Sequence, residues 1–557
     1  MTGLFIGILV ALALIGAPLF AIIGAATLLC FTVLSADLAN TNDMLQIVQS
    51  MEQLVTKKEF LAIPLFMVSG AIMTAGGIAT RLVGVARAGL GWLPGGIAVA
   101  SVMACMFFAA ISGSSPVTLI AVGSIMFPAM IAAGYPENFG IGIVTTAGSL
   151  GCLVPPSISM LIYAITVSGS SEAKVDPKDL FLAGMAPAFF IAFLLAAYSV
   201  WVGLKLPGAR EKFDLRKFGR AAFDGIWALL LPFIVLGGIY GGLYNAFEAG
   251  AIASAYALVV TMVIYRELTW RKLYETMVDS AILMGSLILI IVLAFGLNKY
   301  LATIKVEEQL MAAIQAMDLG PIGFLLLVNA SLIVIGALMD SISCTLIFAP
   351  MLAPIAAKLY GLDPLHFGVI FVVNMEIGYL MPPVATNLFV AAAVFKKPFM
   401  QVTRAVLPTL GITCFALAVI MYVPTISTGL VNWRDGRAIY QSFPWDGKPV
   451  AATAGAAGGA VAQKSKRIDL GALRAVEPDA GAGPTGTSWT CTGEPGGGAA
   501  EKTARVCSRT FEGAKAFGKA AVCGAAPATV CIDSLICEEV DEDPPPPPCQ
   551  EPATGGP

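Results

Sequence analysis

The sequence predicts an all-α polytopic membrane protein with two structurally repeated halves and a low-complexity C-terminal tail. Hydrophobic residues make up 57% of the 557 residues and charged residues only 12%, against roughly 25% charged residues in soluble domains. Apolar windows of about 20 residues, the length that crosses the hydrocarbon core, follow one another along the chain. The pattern Gly-x-x-x-Pro-Pro occurs twice within them, at Gly151–Pro156 and Gly378–Pro383.

The apolar runs define the predicted membrane segments. They lie at residues 3–34, 60–78, 95–112, 138–168, 180–204, 225–243, 248–265, 277–298, 320–338, 366–395 and 406–430. Two shorter pieces, 114–133 and 340–358, contain Gly, Ser and Pro residues that interrupt a helix. We expect each of these pieces to be a re-entrant hairpin that is too broken to span the membrane.

The double prolines indicate a broken helix in each half. Two consecutive prolines remove two backbone donors and clash with the preceding turn, which a bilayer tolerates only where the freed backbone faces protein or water. Pro128 precedes Pro155 by 27 residues, and Pro354 precedes Pro382 by 28. Such paired interruptions in corresponding places of two halves are the best sequence indicator of a transporter's binding site.

The chain divides into a membrane part and a different C-terminal part. We predict a membrane domain at 1–430 (repeat one about 1–205, repeat two about 225–430), a flexible linker at 431–480 and a Cys/Pro-rich tail at 481–557. Six of the eleven cysteines lie in the tail. An even number of cysteines permits disulfides in an oxidising compartment, but a disordered extension or a frame error at the end of the gene fits this composition as well.

Basic residues in short loops predict the orientation of the membrane domain. The stretch 205–220 holds six basic and two acidic residues. Further basic loops contain Arg266, Arg271, Lys272, Lys396, Lys397 and Arg404. Because such loops stay on the cytoplasmic side, we expect a multi-pass protein of the bacterial inner membrane with its C-terminal tail in the periplasm.

The hairpins and broken helices supply oxygen ligands and helix N-termini. Backbone carbonyls and hydroxyls at such bends suit small hard cations, and two equivalent sites would fit two sodium ions. Helix N-termini between the hairpin tips suit a carboxylate substrate. The residues predicted to bind the substrate are Ser114, Ser157, Ser341, Thr386 and Asn387. The same small residues are also compatible with close helix packing alone.

Three carboxylates fall within apolar runs, where ionisable residues are usually functional. Asp340 and Glu376 belong to the motifs of the second half, so we predict a cation or proton site, or alternatively a helix cap at Asp340 and a buried structural hydrogen bond at Glu376. Glu248 begins a helix and is interpreted as structural. The only histidine, His366, is expected at the surface or at a helix cap.

Other function classes lack support in this sequence. It contains no phosphate-binding Gly-x-x-x-x-Gly-Lys-Ser/Thr loop, no Ser/His/Asp set and no His/Cys metal cluster, so neither catalytic nor metal-cofactor residues are predicted. It has no basic stripe of the kind that binds nucleic acid. The expected partners from these patterns are the lipid bilayer and a small solute.

The segments 107–135, GSLGCLVPPSISMLIYA and HFGVIFVVNMEIGYLMPPVATNLFVAAAV are similar to the large membrane (M, DctM-type) subunit of tripartite ATP-independent periplasmic (TRAP) transporters. This resemblance covers about residues 1–430. It implies an elevator-type transporter of the ion-transporter superfamily, a small four-helix membrane subunit (Q) and a periplasmic substrate-binding protein (P) that delivers organic acids.

The resemblance also implies the sodium ligands. They are Ser112, Gly113, Ser115, Gly148, Gly151 and Pro155 in the first half, and Gly336, Asp340, Gly378 and Pro382 in the second. The chain departs from the family at Ala385, where glycine is usual. The predicted function is the permease subunit of a sodium-driven importer of a C4-dicarboxylate or similar acid. A stand-alone sodium/carboxylate symporter and a non-transporting membrane scaffold remain alternatives.

Overall fold

The computed structural model describes residues 19–29, 58–170, 175–206, 213–304, 306–382, 385–443, 487–493, 502–508 and 536–539. The chain forms two compact units, Met1–Ala460 and Val461–Pro557. All regular elements described in the first unit are helices, which confirms the predicted all-α membrane part.

The first unit contains nineteen described α-helices, numbered here in chain order. They are α1 (Leu19–Leu29), α2 (Ala62–Ala75), α3 (Ile78–Leu90), α4 (Gly96–Ser112), α5 (Ser115–Ala132), α6 (Glu137–Ser149), α7 (Ile158–Ser170), α8 (Pro177–Leu204), α9 (Leu215–Asp224), α10 (Ile226–Tyr240), α11 (Ala246–Val259), α12 (Trp270–Thr303), α13 (Val306–Ala316), α14 (Pro321–Leu338), α15 (Ser341–Tyr360), α16 (Pro364–Gly378), α17 (Thr386–Phe395), α18 (Phe399–Tyr422) and α19 (Pro424–Arg434). Short 3₁₀ turns lie at Lys58–Leu61 and Leu150–Cys152, and a π-helical turn at Val260–Ile264 follows α11.

Among the described residues, seven helices are long and apolar enough to cross a membrane, or up to nine if each of two bent pairs counts as one span. The bent pairs are α2–α3, at 71°, and α9–α10, at 61°. The predicted run at 320–338 corresponds to α14. The run at 406–430 is divided, because α18 ends at Tyr422 and Pro424 starts α19.

The two predicted re-entrant pieces are not hairpins in themselves. Each is one unbroken helix, α5 or α15, and forms a hairpin with the helix before it, α4 or α14. The prediction was wrong because it treated every proline as a break. Pro116 lies in the first turn of α5, where no hydrogen bond is lost, while Pro128, Pro350 and Pro354 are accommodated inside the helices.

The first hairpin, α4–α5, opens at the end of the unit where α8 finishes. Gly203, near the C-terminus of α8, approaches the residue before α4 so closely that a Cβ on it would lie 2.0 Å from the Gly95 nitrogen. After α5, Phe139 in the first turn of α6 packs on Tyr198 of α8 with ring centroids 5.6 Å apart. Both arms of this hairpin therefore start and finish beside the last turns of α8.

The second hairpin, α14–α15, opens at the opposite end. The Tyr360 hydroxyl at the end of α15 donates to the Leu319 carbonyl just before α14, at 3.0 Å. The next helix, α16, contacts α19 through His366. Helix α19 in turn reaches the first turn of α8, where Arg434 Nη1 lies 2.8 Å from Asp179 Oδ1. The two hairpins thus enter from opposite ends of the unit.

In each half, the helix that follows the double proline packs against the hairpin of the other half. Helix α17, which follows the second double proline, packs against α5 of the first hairpin, and α7, which follows the first, packs against α15 of the second hairpin. The helices that precede the double prolines also pack on the other half: α6 packs on α18, and α16 packs on α8. One buried link between α6 and α18 joins the hydroxyl oxygens of Thr146 and Thr409 at 2.6 Å.

The basic loops predicted to face the cytoplasm lie at one end. Glu137, which starts α6 beside the end of α8, forms an ion pair with Lys397. Arg81 of α3 bonds to Glu267 at 2.8 Å and lies 3.7 Å from Asp224 of α9. The loops after α8, before α12 and after α17 therefore share the end at which the first hairpin opens.

The second unit contains a three-stranded antiparallel sheet among its described residues. The strands are β1 (Thr487–Gly493), β2 (Lys502–Ser508) and β3 (Ile536–Glu539), in the order β2-β1-β3. Cys491 lies opposite Cys537 in the β1–β3 register. The prolines at the end of the tail and most of the predicted linker lie outside the described residues.

Candidate functional site

The turn of the first hairpin depends on one glycine. Gly113 has φ of 60°, in the left-handed region that favours glycine, and a Cβ there would lie 2.4 Å from the Pro156 carbonyl oxygen. Its own carbonyl accepts from the backbone nitrogen of Ile158 at 3.3 Å. The hydroxyl oxygens of Ser112 and Thr118 lie 2.9 Å apart across the turn. The turn is therefore bound directly to the first broken helix.

The first broken helix approaches this turn at a second point. Helix α6 ends at Ser149, and the chain passes through a 3₁₀ turn and the two prolines before α7 begins. A Cβ on Gly151 would lie 2.7 Å from the Ser114 carbonyl carbon and oxygen and 2.8 Å from the Ser115 nitrogen. A Cβ on Gly148 would lie 2.9 Å from the Leu119 Cβ. Glycine at these positions allows the backbones of the hairpin and the broken helix to touch.

The turn of the second hairpin is capped by a carboxylate. Asp340 precedes α15, and its two oxygens accept from the Ser343 nitrogen at 3.1 Å and the Ser343 hydroxyl at 2.7 Å. This is the helix-cap alternative considered for Asp340. Gly378 of the second broken helix touches the hairpin one turn earlier, because a Cβ on it would lie 2.8 Å from the Gly336 carbonyl carbon.

Two equivalent hydrogen bonds join the halves at the hairpin turns. Asn387 Nδ2, on the second residue of α17, donates to the hydroxyl of Ser115, the first residue of α5, at 2.5 Å. Ser159, the second residue of α7, bonds to the hydroxyl of Ser341, the first residue of α15, at 3.2 Å. All four side chains are buried. The N-termini of four helices therefore meet between the two turns.

Cys152 and Tyr379 extend this polar cluster. Each residue directly follows the glycine of its Gly-x-x-x-Pro-Pro motif. The Tyr379 hydroxyl lies 2.8 Å from the Ser341 hydroxyl oxygen, and Cys152 is buried at the first break. The start of α7 links the two hairpin turns, because Ile158 bonds to Gly113 and Ser159 bonds to Ser341.

The broken helices also contact each other through a buried carboxyl group. Ser149 Oγ donates to Glu376 Oε1 at 2.8 Å, and Glu376 has no exposed surface. The other oxygen of this carboxyl group, Oε2, has no hydrogen-bond partner among the described residues. The structural bond foreseen for Glu376 is present, and a second acceptor remains free.

Two further buried oxygens near the hairpin turns lack a partner within the described part of the chain. They are Oδ1 of Asn387, beside the first hairpin turn, and Oδ1 of Asn374, one turn before the second break. A buried acceptor without a donor is costly unless a bound cation or a donor group satisfies it. The Asn387 oxygen adjoins Ser115, so the site offers an acceptor of the type that hard cations prefer.

The structure brings most predicted site residues together. Those around the first turn are Ser112, Gly113, Ser114, Ser115, Gly148, Gly151 and Asn387, with Ser157 buried at the start of α7. Gly336 and Gly378 touch each other beside Asp340 and Ser341. Pro155 is buried, Thr386 is partly exposed, and Pro382 is exposed at the second break.

Sequence reasoning missed five polar residues of the cluster. They are Thr118, Ser149, Cys152, Ser159 and Tyr379. Superimposing the two Gly-x-x-x-Pro-Pro motifs pairs Ser149 with Glu376, Cys152 with Tyr379, Ser159 with Thr386 and Thr118 with Thr345. Comparison of the halves residue by residue therefore provides a signal for all five.

The prediction for His366 was wrong, and that for Glu248 agrees with the structure. His366 is 1% exposed, and its ring nitrogens lie 3.2 Å from the Ser427 hydroxyl and from the Met421 carbonyl. The start of α16 faces α18 and α19, which an apolar run could not indicate. Glu248 forms a reciprocal capping box with Asn245 at the start of α11.

Metal-binding side chains do not cluster in this part of the molecule. Within the described ranges, no group of three or more His, Cys, Asp or Glu residues is arranged to hold a metal ion. The oxygens at the first hairpin turn belong instead to hydroxyls, an amide and the backbone, and the second turn adds the carboxylate of Asp340. Unwound backbone of this kind coordinates monovalent ions in broken-helix transporters.

A family profile described as "Tripartite ATP-independent periplasmic transporter, DctM component" matches residues 6–426. The chain is 42% identical over 375 residues to the C4-dicarboxylate TRAP transporter large permease protein DctM of Pseudomonas aeruginosa, covering 67% of this chain and 86% of that protein. It is 38% identical over 368 residues to the isethionate TRAP transporter permease protein DctMQ of Oleidesulfovibrio alaskensis, covering 66% of this chain and 57% of that longer protein.

Its fold is similar to that of the YdaH transporter of Alcanivorax borkumensis, described as having an unusual topology. The TM-score is 0.52 at 14% sequence identity, over 73% of this chain and 91% of that one. At this level of identity the likeness concerns the fold alone.

Proposed function

The chain belongs to the DctM component family of TRAP transporters and is a multi-pass large permease subunit; on this premise we propose that it is the sodium-driven import pathway for a small organic acid. The observation that carries the proposal is the meeting of four helix N-termini between two hairpins that enter from opposite ends of the membrane unit.

The helix N-termini favour an anionic substrate. Each N-terminus has N–H groups without a partner inside its own helix and about half a positive charge from the helix dipole. Ser115 and Ser341 begin two of these helices, and Ser159 and Asn387 lie in the first turns of the other two. Hydroxyl and amide side chains at such ends bind carboxylate oxygens without a buried basic residue. We therefore propose a carboxylate between the turns.

The free oxygens favour a cation beside that carboxylate. Among the described residues no donor reaches the buried Oδ1 of Asn387, which lies next to the Ser115 hydroxyl and the close contact between Gly151 and the first turn. A sodium ion there would satisfy the amide oxygen and offset the charge of the substrate. The equivalent region of the second half has the Ser341 and Tyr379 hydroxyls beside Asp340, and we propose the second ion there.

The opposed hairpins support alternating access by an elevator movement. The first hairpin opens at the end with the basic loops and the second at the other end. We propose that the hairpins and broken helices move together as a transport domain, so that each hairpin covers the site from one side. The remaining helices would form the scaffold in the inner membrane.

The family name implies a three-component system. We propose that a small membrane subunit docks on this chain and that a periplasmic binding protein delivers the substrate. The similar P. aeruginosa protein is named for a C4-dicarboxylate and the O. alaskensis protein for isethionate, and both ligands are small organic anions. A C4-dicarboxylate or similar carboxylate is accordingly the first candidate, with much of the selectivity assigned to the binding protein.

An omission experiment tests this proposal. The chain is reconstituted in liposomes with the small subunit, with and without the binding protein, and labelled acids that stabilise the binding protein are offered under an inward sodium gradient. Uptake that requires the binding protein supports the tripartite importer. Sodium-driven uptake without it would indicate a stand-alone symporter, and no uptake by folded protein would favour the membrane scaffold.

A further inference from the structure

A cavity lies away from the hairpin site, at the end of the unit with the basic loops. It is open, has a volume of about 640 Å³, and lies between α9, α10 and the π-helical turn after α11. Its lining residues are Lys217, Arg220, Ala221, Phe223, Asp224, Trp227, Ile264 and Tyr265. Its lining therefore combines basic groups with aromatic and apolar ones.

We propose that this cavity binds an anionic phospholipid of the cytoplasmic leaflet. Lys217 and Arg220 would hold the phosphate, and the wall formed by Phe223, Trp227 and Ile264 would contact the upper part of the acyl chains. Neither the transport pathway nor the proposed coupling ions involve these residues.

The position of α9 places the cavity at the membrane boundary. Helix α9 has charged residues along one side and leaves the apolar helix α10 at an angle of 61°. None of its side chains is buried, and Phe223 is 79% exposed. A charged, amphipathic helix that leads into a membrane segment at such an angle is typical of the interface plane.

Aromatic side chains mark the same level of the membrane. Trp92 and Phe213 pack with ring centroids 6.4 Å apart, and Trp227 and Trp270 are exposed by 41% and 78%. Tryptophan and tyrosine concentrate at the headgroup level of the bilayer. The basic residues of the cavity are therefore at the depth where phosphates lie.

The charges of the cavity leave two basic groups for a ligand. Asp224 is the only acidic lining residue, and its carboxylate lies 3.7 Å from Arg81 Nε. Arg81 itself is engaged by Glu267 at 3.1 and 2.8 Å, a hydrogen-bonded pair that holds the pKa of Glu267 below its usual range. No ion pair to Lys217 or Arg220 occurs among the described residues.

The walls of the cavity are fixed by bonds between helices. The Tyr265 hydroxyl donates to the Asp224 carbonyl at 3.0 Å, and the Tyr256 hydroxyl donates to the Trp227 carbonyl at 2.9 Å. The Arg81 guanidinium lies 3.7 Å from the centre of the Tyr265 ring. The junction of α9 and α10 is thus held against the end of α11, which keeps the cavity open.

Native mass spectrometry of the delipidated full-length chain tests the proposal, with phosphatidylglycerol and phosphatidylcholine of the same acyl chains as probes. We expect phosphatidylglycerol to bind more tightly and K217Q/R220Q to weaken it about tenfold or more, since each basic residue near an anionic surface contributes about 1 kcal/mol. The matched control is R216Q/R271Q, which removes two charges from the same end outside the cavity and should change binding less than twofold.

Exchanging the two bases, K217R/R220K, keeps both charges and should retain binding, with melting temperatures showing that each variant is folded. Equal losses in the two charge-removing variants would overturn the proposal in favour of diffuse surface charge. Equal binding of the two lipids would show an apolar groove. Displacement by millimolar inorganic phosphate would show a small-anion site, and displacement by the small membrane subunit would show a protein-docking face.

Discussion

Ser149 and Glu376 stand at the same position in the two halves, six residues before Pro155 and Pro382, and they bond to each other at 2.8 Å. Residues in equivalent positions can touch only near the axis that relates their halves. The two broken helices therefore meet at the centre of the fold, and the contact that joins them is a buried hydroxyl–carboxyl hydrogen bond.

This bond predicts a coupled effect on stability. Ser149→Ala leaves both oxygens of the buried carboxyl group without a donor, so we expect a loss of about 1–3 kcal/mol in the free energy of unfolding. Glu376→Gln keeps an acceptor for Ser149 and should cost less. Thermal melts of Ser149→Ala, Glu376→Leu and the double variant measure the coupling. Additive losses in the double variant would show that the two side chains do not interact.

The contact between Gly151 and the first hairpin predicts a strong effect of one methyl group. In Gly151→Ala the new Cβ would lie 2.7 Å from the Ser114 backbone, and relieving this overlap costs about 1–3 kcal/mol or displaces the turn. We expect the uptake rate to fall about tenfold or more. Gly237→Ala is the matched control, because no atom lies within 4 Å of a Cβ there. Equal rates in the two variants would contradict the close contact.

The unpartnered oxygen of Asn387 predicts a change in sodium affinity. Asn387→Ala removes that oxygen and the donor to Ser115, so the half-saturating sodium concentration for uptake should rise about tenfold, as expected for a lost bond to a charged group. Thr413→Val is the control, since Thr413 is a buried hydroxyl of α18 that bonds only to its own helix, at Leu410. An unchanged sodium dependence would remove Asn387 from the ion site.

The backbone conformation of Ala385 predicts that replacing it with glycine stabilises the protein. Its φ of 31° lies in the left-handed region, where a side chain costs about 1–2 kcal/mol. The sequence comparison with DctM-type subunits led us to expect glycine at this position. Ala385→Gly should therefore raise the melting temperature, corresponding to about 1 kcal/mol after the entropy cost of glycine. Ala391→Gly, in the middle of α17, should lower it by a similar amount. A decrease for Ala385→Gly would contradict the strained conformation.

Local sequence patterns predicted the membrane helices and breaks well. The run at 180–204 corresponds to α8 and the run at 366–395 to α16 and α17, separated at the second double proline. These features depend on apolar length and on proline, which act within a few residues. The unbroken α5 and α15 were missed because the effect of a proline depends on its position in the turn.

The pairing between the halves could not be read from local patterns. That Asn387 bonds to Ser115 and Ser159 to Ser341 depends on which hairpin packs against which half-helix. The burial of His366 depends in the same way on α18 and α19. Such contacts join residues far apart in the chain, and only the residue-by-residue equivalence of the two halves contains a trace of them.

The most direct test of the central claim is uptake of the labelled acid by liposomes containing all three components, under an inward sodium, potassium or proton gradient applied singly. We expect uptake with the sodium gradient only, strongly reduced in Gly151→Ala and kept in Gly237→Ala. Equal uptake without a sodium gradient, by protein that is folded and correctly inserted, would contradict a sodium-coupled site at the hairpin turns.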